Sequence, residues 1–430
     1  MKRRHFLKTA SQSLAGLIGL PAISSASKHP IPTLPSVVGD IDPHDEAFWS
    51  LVRDHFPLTP DRIYLNTGGL GASPYVSINA MKDKIDTLEQ ISESGHKEKL
   101  WHDIKTKASL ILGCDPEEIA YTKNTTEGIN IVCNGLPLRR NDEIITSTHE
   151  HVGNTIAWLL RQKRDGIVMK VFEPSMRSAR ENIDRIEKLI TNRTRALSIS
   201  HVTTASGQVL PVKEIGELAK VHNLWYFLDG AQSAGMMPLD IHDIGCHAYA
   251  TSGHKWLVGP KGTGLLYVRK DMLDLIEAKW VGAYSNDGNF DMATGEVHLH
   301  PTAQRYEYGT MSVPLFVGLA AAMDFLLRIG MDNIWRRVHA MGSALINGLN
   351  ELGTEVLSPK HPDEHSGMIT FRLKNVDRRT LQSFLSKEHK LRTRGIYEGG
   401  LDGIRISFHI YNSFKDVEKV LEGVRAAKAL

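Results

Sequence analysis

Three cysteines in 430 residues, an odd number, are too few for a disulfide framework. Aromatic residues make up 7%, charged residues 23% and hydrophobic residues 41% of the chain. These values lie near globular averages and exclude disordered, collagen-like and coiled-coil chains. Long apolar runs are missing as well. The stretch 14–23 is interrupted by Gly and Pro, and 315–327 contains Asp324, so neither supplies the roughly 20 apolar residues a membrane-spanning helix needs. Nor is there an excess of one charge, since the net formal charge is +2. Lys2, Arg3, Arg4 and Lys8 carry four positive charges with no acid before residue 27, which leaves the rest at −2. The body therefore offers no basic surface for a nucleic-acid backbone. At this length two domains are expected, by the prior of about 100–200 residues each.

Residues 1–26 read as a removable targeting segment: a basic head, a weakly apolar stretch, then Ser24-Ser-Ala26. The head, Lys2-Arg-Arg-His-Phe-Leu-Lys8, resembles the twin-arginine export signal, with Lys2 where Ser or Thr is usual. That resemblance implies a protein folded and loaded in the cytoplasm, handed to the twin-arginine translocase and released in the periplasm. Residues 27–75 are then a linker and N-terminal arm. The segment 63–71 is a strand running into a glycine-rich loop, Asn66-Thr-Gly-Gly-Leu-Gly71.

Beyond the arm, apolar spacing and charge predict a helix over 82–113. Strands are predicted at 119–122, 143–147, 167–171, 195–201, 225–228, 248–252 and 264–268. Helices are predicted between them at 128–133, 152–164, 179–191 and 212–222, with another at 272–278. Strands apolar throughout, such as Leu224-Trp-Tyr-Phe-Leu228, belong to a sheet covered on both faces. The alternation means an α/β fold with a mostly parallel, seven-stranded sheet in a large domain, 76–312. From Val313 the pattern changes to helices at 313–330 and 335–352, a strand at 368–373 and helices at 380–387 and 414–427. This predicts a smaller α+β domain over 313–430.

Asp229 ends a buried strand, where an acid costs desolvation energy unless a cation faces it. Lys255 follows the next strand, in Ser252-Gly-His-Lys255, and precedes Gly259-Pro-Lys-Gly-Thr-Gly264. Ligands of open α/β sheets bind at the carboxyl ends of the strands. An acid and a lysine together there suit pyridoxal phosphate: the lysine forms a Schiff base, and the acid keeps the pyridine nitrogen protonated. Asn124-Thr-Thr-Glu-Gly128 places hydroxyls at a strand-to-helix junction, where free N–H groups favour a phosphate. His149 and His151 alternate along the chain, but no third ligand is evident. No metal is expected, and His149 reads as exposed.

Together these motifs resemble the pyridoxal-phosphate-dependent transferases of fold type I, in the class V aminotransferase family. The chain is similar to cysteine desulfurases and more so to isopenicillin N epimerase-like proteins, over about 61–413. The resemblance implies Lys255 as the Schiff-base lysine, Asp229 at the pyridine nitrogen and Gln232 at the ring hydroxyl. It implies phosphate contacts from Ser252, His254, Thr125 and Thr126. His151 falls where the family stacks an imidazole on the ring. Arg305-Tyr-Glu-Tyr-Gly-Thr310 is similar to a loop whose threonine reaches the partner subunit's phosphate, which implies a homodimer; the bland reading of Arg305 is an ion pair with Glu307. Arg405, in Ile404-Arg-Ile-Ser407, is implied as the substrate-carboxylate arginine, with Arg392 and Arg394 as nearby substitutes. A planar fork suits that task better than a lysine.

Two departures matter. Thr204 stands where desulfurases place an asparagine under the cofactor. The loop that carries their persulfide-forming cysteine maps to Arg394-Gly-Ile-Tyr-Glu-Gly-Gly400, which has none. The expected function is action on the amino group of an amino acid or amino-acid-derived metabolite, with the substrate amine replacing Lys255 on the cofactor. The favoured form is a periplasmic tailoring aminotransferase, since the family includes twin-arginine-exported enzymes that modify siderophore side chains. Epimerisation and carbon–sulfur lysis are the alternatives, and a non-catalytic binding protein is a third.

Overall fold

The computed structural model describes residues 30–35 and 39–430, so the targeting segment lies outside the described residues. Strand β1 (Ile63–Tyr64) precedes β2 (Ile119–Thr122), β3 (Glu143–Ser147), β4 (Val168–Phe172), β5 (Thr194–Ser200), β6 (Trp225–Asp229), β7 (Ala248–Ser252) and β8 (Gly264–Val268). Strands β2 to β8 form one sheet in the order β2-β8-β7-β6-β5-β3-β4. These are the seven strands expected from the sequence. Every residue of β2, β3, β7 and β8 is buried, as expected of strands in a sheet covered on both faces. Strand β8 alone runs against its neighbours. The connection 253–263 is too short for a parallel return, which needs a crossover of about a dozen residues or more. Its antiparallel turn keeps His254 and Lys255 at the carboxyl end of the sheet. Register aligns Ser200 with Asp229 and Asp229 with Ala250, so the ends of β5, β6 and β7 stand side by side there.

Helices α1 (Glu46–Arg53), α2 (Tyr75–Ile91), α3 (Glu98–Leu112), α4 (Thr125–Gly135), α5 (Val152–Asp165), α6 (Ala179–Glu187) and α7 (Val212–Val221) belong to this part, followed by a short α8 (Ile241–Ile244). The single helix expected over 82–113 is two. Ser92 (φ 53°) and Gly95 (φ 69°) take the left-handed conformation that ends a helix. The helix expected at 272–278 is only a 3-10 turn, Lys270–Met272, because so short a segment makes too few helical bonds to nucleate. An unforeseen hairpin, β9 (Asn286–Asp291) and β10 (Glu296–Leu299), carries mostly exposed polar residues with no periodic signal.

Helix α9 (Val313–Ile329) shares its core with Trp101, Ile104, Ile119 and Tyr121. It therefore packs with the larger sheet, and the change of layer falls at Gly330 rather than at 313. Helix α10 (Met331–Glu351), α11 (Arg378–Lys387) and α12 (Phe414–Ala427) accompany a second, antiparallel sheet of β11 (Glu355–Val356), β12 (Met368–Arg372), β14 (Arg394–Ile396) and β15 (Gly403–Ser407). Strand β13 (Leu391–Arg392) pairs in parallel with β1, tying the N-terminal arm to this layer. Among the described residues no single helix is long and apolar enough to cross a membrane.

Glu143 begins β3 fully buried. Its carboxylate accepts from Thr191 Oγ1 (2.6 Å) and from Arg193 Nε (3.1 Å), and pairs with Lys170 (2.9 Å), which joins β3, β4 and the approach to β5. Burial alone would raise its pKa; these hydrogen bonds outweigh burial and hold it at about 2. A depressed carboxyl contributes stability above its unfolded pKa, lost as pH falls through the folded value. Glu143→Gln is therefore expected to lower the melting temperature at neutral pH. The difference from wild type should shrink from about pH 4.5 down to about pH 2. Thermal melts across that window check the sign.

Candidate active site

The corner built on α4 has the chemistry for a phosphate. Asn124 caps α4, its Oδ1 accepting from Glu127 N at 3.0 Å. Ser252 Oγ, at the end of β7, lies 2.6 Å from Thr125 Oγ1 and accepts from Thr125 N at 3.0 Å. Two residues on, His254 has a buried Nδ1 without a partner. Burial, helped by Lys255 and Lys261, lowers its pKa to about 4. Two hydroxyls and the start of a helix thus meet at one strand-to-helix junction, with a neutral imidazole two residues beyond Ser252. Thr126 is exposed beside them, facing Gly153 at the start of α5. Thr310 is not brought to this corner; it is exposed, lining a cavity of about 470 Å³ with Lys123 and Tyr308.

Asp229 is buried at the end of β6, and its Oδ1 accepts from Ala231 N at 2.9 Å. Burial pushes its carboxyl up, opposed by Lys255 and the Ala231 N–H. Burial lowers Lys255 to about 8; Asp229 opposes this, while Arg405 and Arg394 reinforce it. The glycine-rich loop lies on the lysine's backbone. Gly71 N donates to His254 O (2.7 Å), and a side chain at Gly71 would run into Lys255 O. Only glycine permits that approach.

Arg405, on β15, is fully buried. Its Nη1 donates to Thr204 O (2.7 Å) and Thr204 Oγ1 (3.1 Å), its Nη2 weakly to Asn66 Oδ1 (3.4 Å), and its Nε has no partner. Burial and Arg394 push it down to about 9, so it stays charged at neutral pH. Thr204 therefore positions the arginine. Gln232 is more engaged than a ring-hydroxyl contact requires. Its Nε2 donates to Gly68 O (3.0 Å) and Thr204 Oγ1 (3.2 Å), and its Oε1 accepts from Trp256 Nε1 (2.8 Å). Because an indole can only donate, the amide orientation is fixed. A hydroxyl arriving there meets the remaining carbonyl lone pair or displaces Thr204.

His151 caps α5, its Nδ1 accepting from Gly153 N at 3.1 Å. Burial, with Lys255 and Arg394, holds it at about 4. The neutral ring can stack or donate through Nε2, but it takes up no proton at neutral pH. That narrows the catalytic role expected of it and leaves Lys255 as the base.

Other expectations are corrected. His149 is buried, not exposed: only 1% of its surface is accessible, and both ring nitrogens lack partners. Arg305 donates to His300 O (2.8 Å) and Leu273 O (2.7 Å) and does not pair with Glu307, which is bound to Lys105 (2.8 Å). Arg392 is exposed and lines a separate cavity with Arg379 and Lys387, so it is no substitute for Arg405. Burial raises the pKa of all three cysteines, Cys133 to about 12.

Sequence reasoning missed three residues. Glu150, buried between its two histidines, accepts from Ser147 Oγ (2.6 Å), Ser200 Oγ (2.6 Å) and Asn154 Nδ2 (3.0 Å), bracing β3 and β5 behind the site. Asn66 faces Arg405. Glu398 pairs with Arg394, a bond legible as opposite charges four residues apart.

A pyridine ring flanked by Asp229 and Lys255, with its phosphate on Thr125, Ser252 and His254, fits this donor set. The unpartnered His254 Nδ1 and Arg405 Nε are buried donors or acceptors that want a ligand. Comparison with known proteins agrees. The model of the family described as "Aminotransferase class-V" matches residues 87–420. A probable cysteine desulfurase of Pyrococcus abyssi is 28% identical over 392 residues, 86% of this chain and 95% of its own. The apo cysteine desulfurase of Thermococcus onnurineus NA1 superposes with a TM-score of 0.78 at 25% identity, covering 91% of this chain and 100% of that one. The cystine C–S lyase C-DES, solved with its product cysteine persulfide, matches at 28% identity and a TM-score of 0.78, over 86% of this chain and 99% of its own. A C-DES mutant carries glycine covalently linked to pyridoxal phosphate. From the fold, the site and these relatives, the chain belongs to the class V aminotransferase family, enzymes of fold type I that use pyridoxal phosphate.

Proposed function

We propose that the protein takes the amino group from an α-amino acid or an amino-acid-derived metabolite by transamination, and that it does so in the periplasm. The observation that carries the reading is Arg405: a buried guanidinium with only neutral acceptors, close enough in charge to Lys255 to depress its pKa. A buried cation with no carboxylate bonded to it is costly, and a substrate carboxylate supplies one. Pyridoxal phosphate, when bound, supplies a sink for negative charge developing at the substrate α-carbon. Arg405 holds the carboxylate and so orients that carbon. Asp229 would hold a proton at the pyridine nitrogen. Lys255 carries the α-proton, since an amine near 8 has a usable neutral fraction at neutral pH.

The absence of a thiol at 394–400, and thiols elsewhere raised by burial, speaks for amine chemistry over sulfur transfer through an enzyme persulfide. Holoenzyme incubated with a single amino donor should release one equivalent of keto acid per site and no ammonia. Ammonia with sulfur release from cystine would instead establish carbon–sulfur lysis, the reading favoured by the similarity to C-DES. Appearance of the opposite configuration at the α-carbon, carrying deuterium from solvent, with no keto acid formed, would establish epimerisation.

Export rests on Arg3 and Arg4. Replacing both by Lys should retain the full-length protein in the cytoplasm, and cell fractionation reads this directly. A homodimer is supported by an apolar stripe on α5. Ile156 and Leu160 are about 60% exposed there, and Leu160 lines a cavity of about 890 Å³ with Trp280, itself 68% exposed. Thr310 stands on the loop after Tyr306, exposed as a residue reaching a second copy would be. Light scattering at twice the chain mass is the expected result.

A further inference from the structure

Arg394 on β14 and Arg405 on β15 are register partners in an antiparallel pair. Their Cβ atoms therefore lie about 5 Å apart on one face, where like charges destabilise a sheet. One carboxylate offsets this. Glu398, only 6% exposed, accepts a hydrogen bond from Arg394 Nη2. Burial would raise the Glu398 carboxyl, but Arg394 foremost, together with Arg405, holds it below the usual range. To present that carboxylate, the turn at Tyr397–Gly400 folds back over buried His149. Gly399 adopts φ 63°, and a Cβ on it would collide with the His149 ring. Glycine is required there, so the placement of Glu398 is built into the backbone.

The charges of the site can then be counted. Asp229 is matched by Lys255, or would be by the ring nitrogen once the cofactor is bound, and Arg394 faces Glu398. Arg405 has only Thr204 and Asn66 as acceptors, both neutral. Among the described residues Arg405 is then the cation of the site with no carboxylate bonded to it, sharing Glu398 only at longer range, and one substrate carboxylate neutralises it. A second carboxylate on the substrate's side chain would find Arg394 already neutralised and Glu398 repelling it. We infer that the Arg394–Glu398 pair sets the charge of the substrate side chain, closing the site to acidic side chains and admitting neutral ones. The inference rests on the reading of Arg405 as the carboxylate clamp.

The test uses holoenzyme and two amino acids that bind but cannot be transaminated because they lack an α-hydrogen, 2-aminoisobutyrate and 2-methylaspartate. Calorimetric dissociation constants are compared in wild type, Glu398→Gln, Arg394→Met and the double variant. Freeing Arg394 in Glu398→Gln should strengthen 2-methylaspartate relative to 2-aminoisobutyrate by about tenfold or more, as a charge a few ångströms away dictates. Arg394→Met should shift the ratio the other way. The double variant, neutral again, should return it to within about threefold of wild type. A ratio that stays constant across the variants, with only melting temperatures lowered, would reduce the pair to a structural brace and overturn the inference. Should Glu398→Gln fail to fold, Arg394→Met and the double variant decide the matter. Failure of wild type to bind 2-aminoisobutyrate would overturn the carboxylate-clamp reading itself, an outcome distinct from an unmoved ratio.

Discussion

Lys255→Ala should lower turnover by about 10²–10⁴-fold, the range expected when a positioned proton carrier is removed. The physical basis is local. Burial brings the Lys255 amine down to about 8, and Asp229 keeps it from falling further. The wild-type amine is therefore part neutral at neutral pH and can accept a proton from carbon. No neighbour can take over, because His151 and His254 are held at about 4 and Arg405 stays charged. Thr125 and Ser252 are bonded to each other and held by β7 and α4, so the variant should still bind pyridoxal phosphate, and added alkylamines should restore part of the rate. For the wild-type apoprotein, capture of the cofactor should quicken as pH rises through about 8, because the nucleophile is the neutral amine. Stopped-flow uptake at several pH values measures the midpoint. Uptake independent of pH would mean that the amine is not the group that captures the cofactor.

Much of the candidate site is legible in the sequence. The seven sheet strands fall within a residue or so of the expected positions because they are short runs rich in apolar and β-branched residues set between helical stretches, and most of them are buried on both faces. Asp229, Ser252 and Lys255 sit at strand ends, where topology dictates a site, and the strand register fixes their neighbourhood. What escaped notice depends on contacts between distant segments. Thr204 and Arg405 are 201 residues apart, and nothing local marks their bond. His149 reads as a surface residue until the turn at Gly399 covers it. The break at Ser92 replaces one helix by two because a serine adopts a left-handed conformation, which its residue type does not announce. The polar hairpin at 286–299 carries no period at all. Thr310 is exposed, and the phosphate contact expected of it would need a second copy of the chain.

Arg405→Ala should raise KM for an α-amino acid by about a hundredfold. Truncating one partner of a buried charge pair costs roughly 2–5 kcal/mol, and each 1.4 kcal/mol is about tenfold. The turnover number should fall less, provided that the α-carbon is still presented to Lys255. A carboxylate-free amine is the decisive control: its KM should be the same in variant and wild type if Arg405 acts only on the carboxylate. Arg405→Lys should be intermediate, because a single ammonium keeps the charge but cannot hold both Thr204 and a carboxylate as the planar fork does. Melting temperatures must accompany the kinetics, since the arginine also braces Thr204 and Asn66. If KM for α-amino acids is unmoved while the fold is intact, the amino group that reacts lies on a side chain or on a larger molecule, away from any α-carboxylate. The natural substrate would then be sought among peptides and amino-acid-derived metabolites rather than free amino acids. In that case the unpartnered Nε of Arg405 would remain a buried donor awaiting a different acceptor, and a neutral carbonyl of such a molecule is the group of the right chemistry to meet it.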